Sequence, residues 1–175
     1  MRKVVILAAL VIGLIAVYIG RQRYKANLSP PAQTSVTIDG KQIAIKYHAP
    51  SIRGRKIFGG LEPYHKVWRA GANDATALHT DADLQIGDLA VPKGDYTLFV
   101  WLDPVQWQLI VNQQTKQWGL EYHEDRDLGR VKMDMGTPPA PIQKYKMTLT
   151  SEGGSKGRLQ LAWENTVASV PIVVK

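Results

Sequence analysis

The sequence predicts an all-β domain, an antiparallel β-sandwich of jelly-roll type, carried behind one N-terminal transmembrane helix. Three observations lead there. After residue 33, apolar and polar residues alternate in short runs punctuated by Gly, Pro and Asp, in a chain with 15 glycines and 10 prolines. Beyond residue 20 no stretch keeps a 3.6-residue period over the ten or more positions that an amphipathic helix needs. The first 20 residues, by contrast, hold an uninterrupted apolar run. At 175 residues there is room for one ordinary domain, and with 45% hydrophobic against 21% charged residues the chain can build a packed core.

The apolar run reads VVILAALVIGLIAVYI from Val4 to Ile19, and Gly20 extends it. As a helix, 4–20 covers about 25 Å, just short of a bilayer's hydrocarbon thickness. Arg2 and Lys3 precede it, while Arg21, Arg23 and Lys25 follow with Tyr18 and Tyr24 at an interfacial position. A cleaved secretory signal is the competing reading, but the A-x-A-like pair it requires is missing: Ala16 follows Leu14 by two positions, Gly20 follows Tyr18 and Ala26 follows Tyr24. Residues 1–25 are therefore expected to be a retained signal anchor in the lipid bilayer, with the globular part extracytoplasmic. Residues 26–33, which contain Ser-Pro-Pro, form the tether. The absence of cysteine removes disulfides, thiolate metal sites and a lipoprotein attachment point.

The sandwich is expected over 34–175. Val36 and Ile38, the turn Asp39-Gly40, then Ile43, Ile45 and Tyr47 spell a β-hairpin. Strands follow at Ala77 to Thr80 and Leu84 to Ile86. Asp95 to Leu102, apolar on both faces, reads as a central strand. Alternation resumes through Trp107, Leu109 and Val111, through Val131, Met133 and Met135, and through Tyr145, Met147 and Leu149. After the Gly153-Gly154 turn it returns in Leu159, Leu161 and Trp163, and Val170 to Val174 closes the chain. Trp107, Tyr145, Leu161 and Trp163 are the expected core. A turn or two of helix is expected near Asn112 to Trp118, and the proline cluster 137–141 is expected to cross between sheets.

The net charge of +7 suggests a polyanion partner until it is resolved along the chain. Residues 1–25 carry five basic residues and no acid, which leaves 17 basic against 15 acidic residues for the remainder. No basic stripe with interleaved aromatics appears, so no nucleic-acid partner is expected.

Residues 47–79 differ from their surroundings. The segment lacks sustained alternation yet concentrates Arg53, Arg55, Arg69, His48, His65, His79, Tyr64, Trp68, Asn73 and Asp74. A long irregular stretch in a small domain points to function. Within it, R-G-R-x-I-F-G-G-L-x-P-Y-x-K-V-W-R-x-G-A-N-x-A-T (Arg53 to Thr76), followed by P-K-G-x-Y at Pro92 to Tyr96, resembles the bacterial family known as domain of unknown function 2911. The resemblance covers about 34–175. It implies export or membrane association and supplies no activity and no catalytic residue. Two departures from the family pattern stand out: His65 where glycine is frequent, and His48-Ala49 where Ser-Arg is frequent.

Three readings of the segment compete. In the first, Arg55, Arg69, Asn73 and Thr76 line a pocket with Tyr64 and Trp68. Guanidinium forks suit a carboxylate or phosphate, and the rings suit a sugar face, giving an anionic or sugar ligand. Against it stands a structural account, with Trp68 in the core, Arg69 paired to Asp74 or Glu62, and Asn73 capping a turn after Gly71. In the second, His48, His65 and His79 hold a metal with Asp81 or Asp74, though separations of 17 and 14 residues match no ligand spacing. The third is an acid–base enzyme. No G-x-S-x-G elbow, phosphate loop or H-E-x-x-H helix is present, and His123-Glu124-Asp125 reads as a solvated loop. The expected function is a binding or interaction module with no catalytic residue, metal or cofactor. The alternatives are a hydrolase using His65 and His79, and a structural envelope protein without a small ligand.

Overall fold

A computed structural model of the chain describes residues 11–20 and 28–175. Thirteen strands are found among them: β1 (Pro31–Ile38), β2 (Lys41–His48), β3 (Lys66–Trp68), β4 (Thr76–Thr80), β5 (Leu84–Ile86), β6 (Leu89–Val91), β7 (Gly94–Leu102), β8 (Gln108–Asn112), β9 (Asp127–Lys132), β10 (Asp134–Gly136), β11 (Ile142–Gly153), β12 (Lys156–Glu164) and β13 (Thr166–Val174). They form two antiparallel sheets. The first has the order β1-β2-β4-β7-β8-β9, with β3 also paired to β7, and the second β11-β12-β13-β5-β6, with β10 also paired to β13. Period-2 alternation puts the apolar face of each sheet inward, and the two faces share one core.

The expected hairpin is β1-β2, closed by Asp39 and Gly40, both at positive φ (49° and 71°) as a tight two-residue turn demands. The expected central strand is β7, paired on both edges. Trp107, Tyr145, Leu161 and Trp163 are all buried in the core. The first strand starts at Pro31, inside the span expected to be tether. Strands β3 and β6 were not expected, because three residues are too few to display a period.

Three expectations are corrected and a fourth is left without support. The chain stays within the first sheet for β1 to β4, and it changes sheet only before β5, before β7 and before β10. Such runs of neighbouring strands differ from the repeated sheet-to-sheet alternation of a jelly roll. Residues 137–141 join β10 to β11 within the second sheet instead of crossing between sheets. Residues 113–118 form no helix: Ala75 N–H donates to the Gln117 carbonyl at 3.4 Å, and Asp74 and Trp118 make a β-bridge, so this stretch is an irregular crossing held against the 69–75 excursion. The N-terminal part gives no support to the transmembrane helix. Residues 11–20 are helical and exposed, yet no helix among the described residues is long and apolar enough to cross a membrane. Residues 4–10 of the expected span, like 21–27 of its flank and tether, lie outside the described residues.

One irregularity of the first sheet positions the rest of the argument. Strands β3 and β4 pair with the same edge of β7, β4 against residues 94–98 and β3 against 100–102. The intervening 69–75 leaves the ladder, with Ala70 and Asn73 at φ of 50° and 57° and Gly71 at 159°. An added Cβ at Gly71 would lie 2.9 Å from the His48 carbonyl oxygen, so the excursion packs backbone against β2.

Candidate binding face

Alternation along β7 sends Tyr96, Leu98, Val100 and Leu102 into the core and Asp95, Thr97, Phe99 and Trp101 to the opposite face of the sheet. Phe99 and Ile110 are nevertheless buried on that outer face. The segment 113–126 covers them: Tyr122 meets Phe99 edge-on at 5.0 Å, and Gln117 exchanges hydrogen bonds with Thr97 at 3.2 and 3.4 Å. Its base is fastened by Asn112, whose Nδ2 donates to the His123 carbonyl and to Asp127 Oδ1, both at 2.9 Å. Tyr122 Oη donates to Asp127 Oδ2 at 2.6 Å, and Arg130 reaches Tyr122, Asp127 and Glu124. Burial together with the Asp127 carboxylate pushes the Tyr122 phenol well above its ordinary range, so it stays a neutral donor. His123-Glu124-Asp125, expected as a solvated loop, is exposed and includes a single 3₁₀ turn at Glu124–Arg126.

The six residues expected to bind ligand part company here. Trp68 is 2% exposed, stacked on Trp163 at 5.9 Å, with edge contacts to Phe58, Tyr145 and Trp107. Its Nε1 donates to the Gly71 carbonyl at 3.2 Å, and the nearly buried ring also lines the crevice that Arg69 enters. Thr76 is fully buried and donates to the Ala70 carbonyl at 2.9 Å, holding the 69–75 excursion. Tyr64 is half-buried against Gly59, where an added Cβ would lie 2.5 Å from the ring. Arg55 braces its own turn, donating to the carbonyls of Ile52 at 3.0 Å and Ser51 at 2.9 Å. Asn73 Nδ2 sits 3.2 Å from His48 Nδ1, which itself donates to the Ser29 carbonyl at 2.9 Å. Burial and internal hydrogen bonds thus hold five of the six in structural contacts, although Trp68 also lines the crevice beside Arg69.

Arg69 is the exception. It follows Trp68, so the alternation that buries Trp68 sends Arg69 to the outer face. Its stem passes beneath Gly119, where a Cβ would lie 2.5 Å from Arg69 Cδ and 2.5 Å from the Asn73 carbonyl oxygen. The guanidinium has neither ion-pair nor hydrogen-bond partner among the described residues, and its Nε is fully shielded from solvent. Neither acid expected to pair with it makes a salt bridge to it, although the charges of Glu62 and Arg69 interact across the crevice. Glu62 lines the same crevice of about 80 Å³, together with Val67, Trp68, Phe99, Gly119, Leu120 and Tyr122. Burial raises the Glu62 carboxyl pKa, and the positive charges of Arg69 and Arg55 offset only part of that. Leu120, 72% exposed, gives the crevice lining an accessible apolar side chain.

Histidines do not converge. His48 lies 3.4 Å from Asp74 and His65 3.5 Å from Asp103, while His79 is held between Asp95 at 2.8 Å and Asp81 at 3.0 Å. Hydrogen bonds to Asp95 and Asp81 raise the His79 pKa. Among the described residues no group of three or more His, Cys, Asp or Glu could hold a metal ion.

A family model described as "Protein of unknown function (DUF2911)" matches residues 29–172. No curated protein and no solved structure matches the chain.

Proposed function

This chain belongs to the DUF2911 family, whose description names no chemistry, and from the residues themselves we propose that it is a binding module that holds the acidic end of a small polar ligand at Arg69. The observation that carries this reading is a half-buried arginine whose Nε is shielded from solvent with no hydrogen-bond acceptor among the described residues. Leaving such a group without an acceptor costs stability, because its desolvation is not repaid by a hydrogen bond. A carboxylate or phosphate entering the crevice supplies the acceptor, and about 80 Å³ admits a group of that size. The Glu62 carboxylate, which has no hydrogen-bond partner among the described residues, suits a hydroxyl or ammonium on the next ligand atom. An α-hydroxy or α-amino acid carries both groups on adjacent carbons.

The test is thermal unfolding of the full chain with millimolar lactate, glycine or inorganic phosphate, against lactamide and glycinamide. At least one of the three anion-bearing probes is expected to raise the melting temperature by a few degrees, as about 2.7 kcal/mol accrues at 100 times Kd. The neutral amides are expected to do nothing. Arg69→Gln is expected to abolish the response and Arg55→Gln to leave it intact. Equal responses from the parent and Arg69→Gln, or no response to any probe, would overturn the reading.

We also propose that the apolar run 4–20 anchors this module in a bilayer with the sandwich outside the cytoplasm. The support is the uncharged length of that run and the cleavage-poor residues after it. Carbonate extraction should leave the full chain in the membrane pellet, and protease added to intact cells whose outer membrane, if they have one, has been permeabilised should remove the sandwich. Release by carbonate, or protection from protease, would refute it.

A further inference from the structure

Four parts of the chain meet around Arg69. Residues two apart on a strand share a face, so β3 presents Val67 and Arg69 together, and Trp68 lies opposite Val100, which sets Arg69 beside Phe99 of β7. The loop before β3 supplies Glu62, and the 113–126 crossing supplies Gly119, Leu120 and Tyr122. Tyr122 is neutral and its Oη is committed to Asp127. Only Glu62 and Arg69 in this lining carry charge, one of each sign. The crevice therefore has no net charge but two poles.

The poles are not cancelled by contact. Glu62 and Arg69 feel each other's charge, yet no salt bridge closes between them, and Arg69 Nε stays without an acceptor. Arg55 also acts on Glu62, but its guanidinium is turned to the carbonyls of Ile52 and Ser51. In a half-buried crevice charges act strongly on one another, so a ligand with a single negative charge satisfies Arg69 and is repelled by Glu62. A ligand with a positive group next to its carboxylate satisfies both. Size narrows the choice further. A space of about 80 Å³ takes a carboxylate with the carbon and amine beside it, and a longer side chain has to lie at the mouth. Leu120, 72% exposed, stands there, and Val67, Trp68 and Phe99 make the walls apolar.

On the reading of Arg69 as the holder of a carboxylate, we infer that the crevice selects a zwitterion, a free α-amino acid with an apolar side chain. Arg69 donates to the carboxylate, the ammonium donates to the Glu62 carboxylate, and the side chain lies against Leu120. An amino acid inside a peptide does not qualify, because each peptide bond turns one of the two charged groups into an amide.

Calorimetric titration of the full chain with each enantiomer of leucine, against α-hydroxyisocaproate, N-acetylleucine and glycine, tests it. At least one enantiomer of leucine is expected to bind about tenfold or more tightly than α-hydroxyisocaproate and N-acetylleucine, which lack the ammonium. It is also expected to bind about threefold or more tightly than glycine, which has no side chain to lay on Leu120. Glu62→Gln is expected to bring leucine and α-hydroxyisocaproate to within about twofold of each other, and Leu120→Ser to bring leucine down toward glycine. Glu62 makes no hydrogen bond within the described protein and Leu120 is exposed, so both variants are expected to fold, and thermal melting without ligand checks that they do. Equal affinity for leucine and α-hydroxyisocaproate, leucine no tighter than glycine, or a leucine preference unchanged in Glu62→Gln would overturn the inference. If α-hydroxyisocaproate or inorganic phosphate then still binds and Arg69→Gln abolishes that binding, the Arg69 reading stands without it. Absence of a response to every probe, phosphate included, would overturn both.

Discussion

Replacing Trp68 by alanine is expected to cost about 3–5 kcal/mol of stability, the usual range for an aromatic residue lost from a packed core, and to lower the melting temperature by roughly 10 °C or more. Trp68 touches Trp163, Tyr145, Phe58 and Trp107, so its removal opens a cavity against four rings. It also strips the Gly71 carbonyl of the indole N–H that holds the start of the 69–75 excursion. Trp68→Phe keeps much of the volume and is expected to lose about 1–2 kcal/mol, through the absent N–H and the smaller ring. Chemical denaturation followed by tryptophan fluorescence measures both. A Trp68→Ala protein as stable as the parent would mean that the ring is not the core residue described above, and would return it to consideration as a ligand platform.

Glu164→Ala is expected to cost about 2–4 kcal/mol, the second largest effect, although the side chain lies far from the proposed site in sequence. Glu164 opens the two-residue turn between β12 and β13 with φ at 53°, a conformation that glycine or asparagine adopts more readily. Its carboxylate accepts the backbone N–H of Ile57 at 3.0 Å and of Phe58 at 3.3 Å. Hydrogen bonds to a charged acceptor contribute about 1.5–3 kcal/mol each, and Ile57 and Phe58 are themselves buried. Alanine loses both bonds and keeps the unfavourable φ, whereas Glu164→Gly loses the bonds and relieves the backbone, so glycine is expected to be the milder substitution by several tenths of a kcal/mol. Equilibrium denaturation of the two variants checks the order. If alanine proves the milder of the two, or both sit within about 0.5 kcal/mol of the parent, the carboxylate is not the fastener that the geometry indicates.

What the sequence could and could not convey follows from the range over which each signal acts. Period-2 alternation is local, so strands as long as β2, β7 and β12 are visible in it, and so are the core residues Trp163 and Tyr145. Arg69 is identifiable as a residue type suited to anions. Its isolation is not, because Glu62, Gly119 and Tyr122 reach it from a loop and a crossing that leave no mark on the residues around 69. The fate of Trp68 depends on β3 sharing an edge of β7 with β4, which no three-residue strand announces. One departure from the family pattern does acquire a physical reason. His65, where glycine is frequent, has φ of 59°, so the position asks for a left-handed backbone that glycine adopts without penalty.

The margin where the two sheets meet has a consequence for how the molecule tolerates crowding. Strand β11 ends the second sheet, and its amides at 145, 147 and 149 are not needed by β12. The Pro50 carbonyl accepts the first at 2.8 Å, Tyr47 Oη the second at 3.1 Å, and Thr34 Oγ1 the third at 3.1 Å. A border strand with free amides is a template on which a second chain can extend the sheet. Here each of the three is already occupied from within, so this border offers a second chain no row of open amides at 145, 147 and 149 on which to extend the sheet.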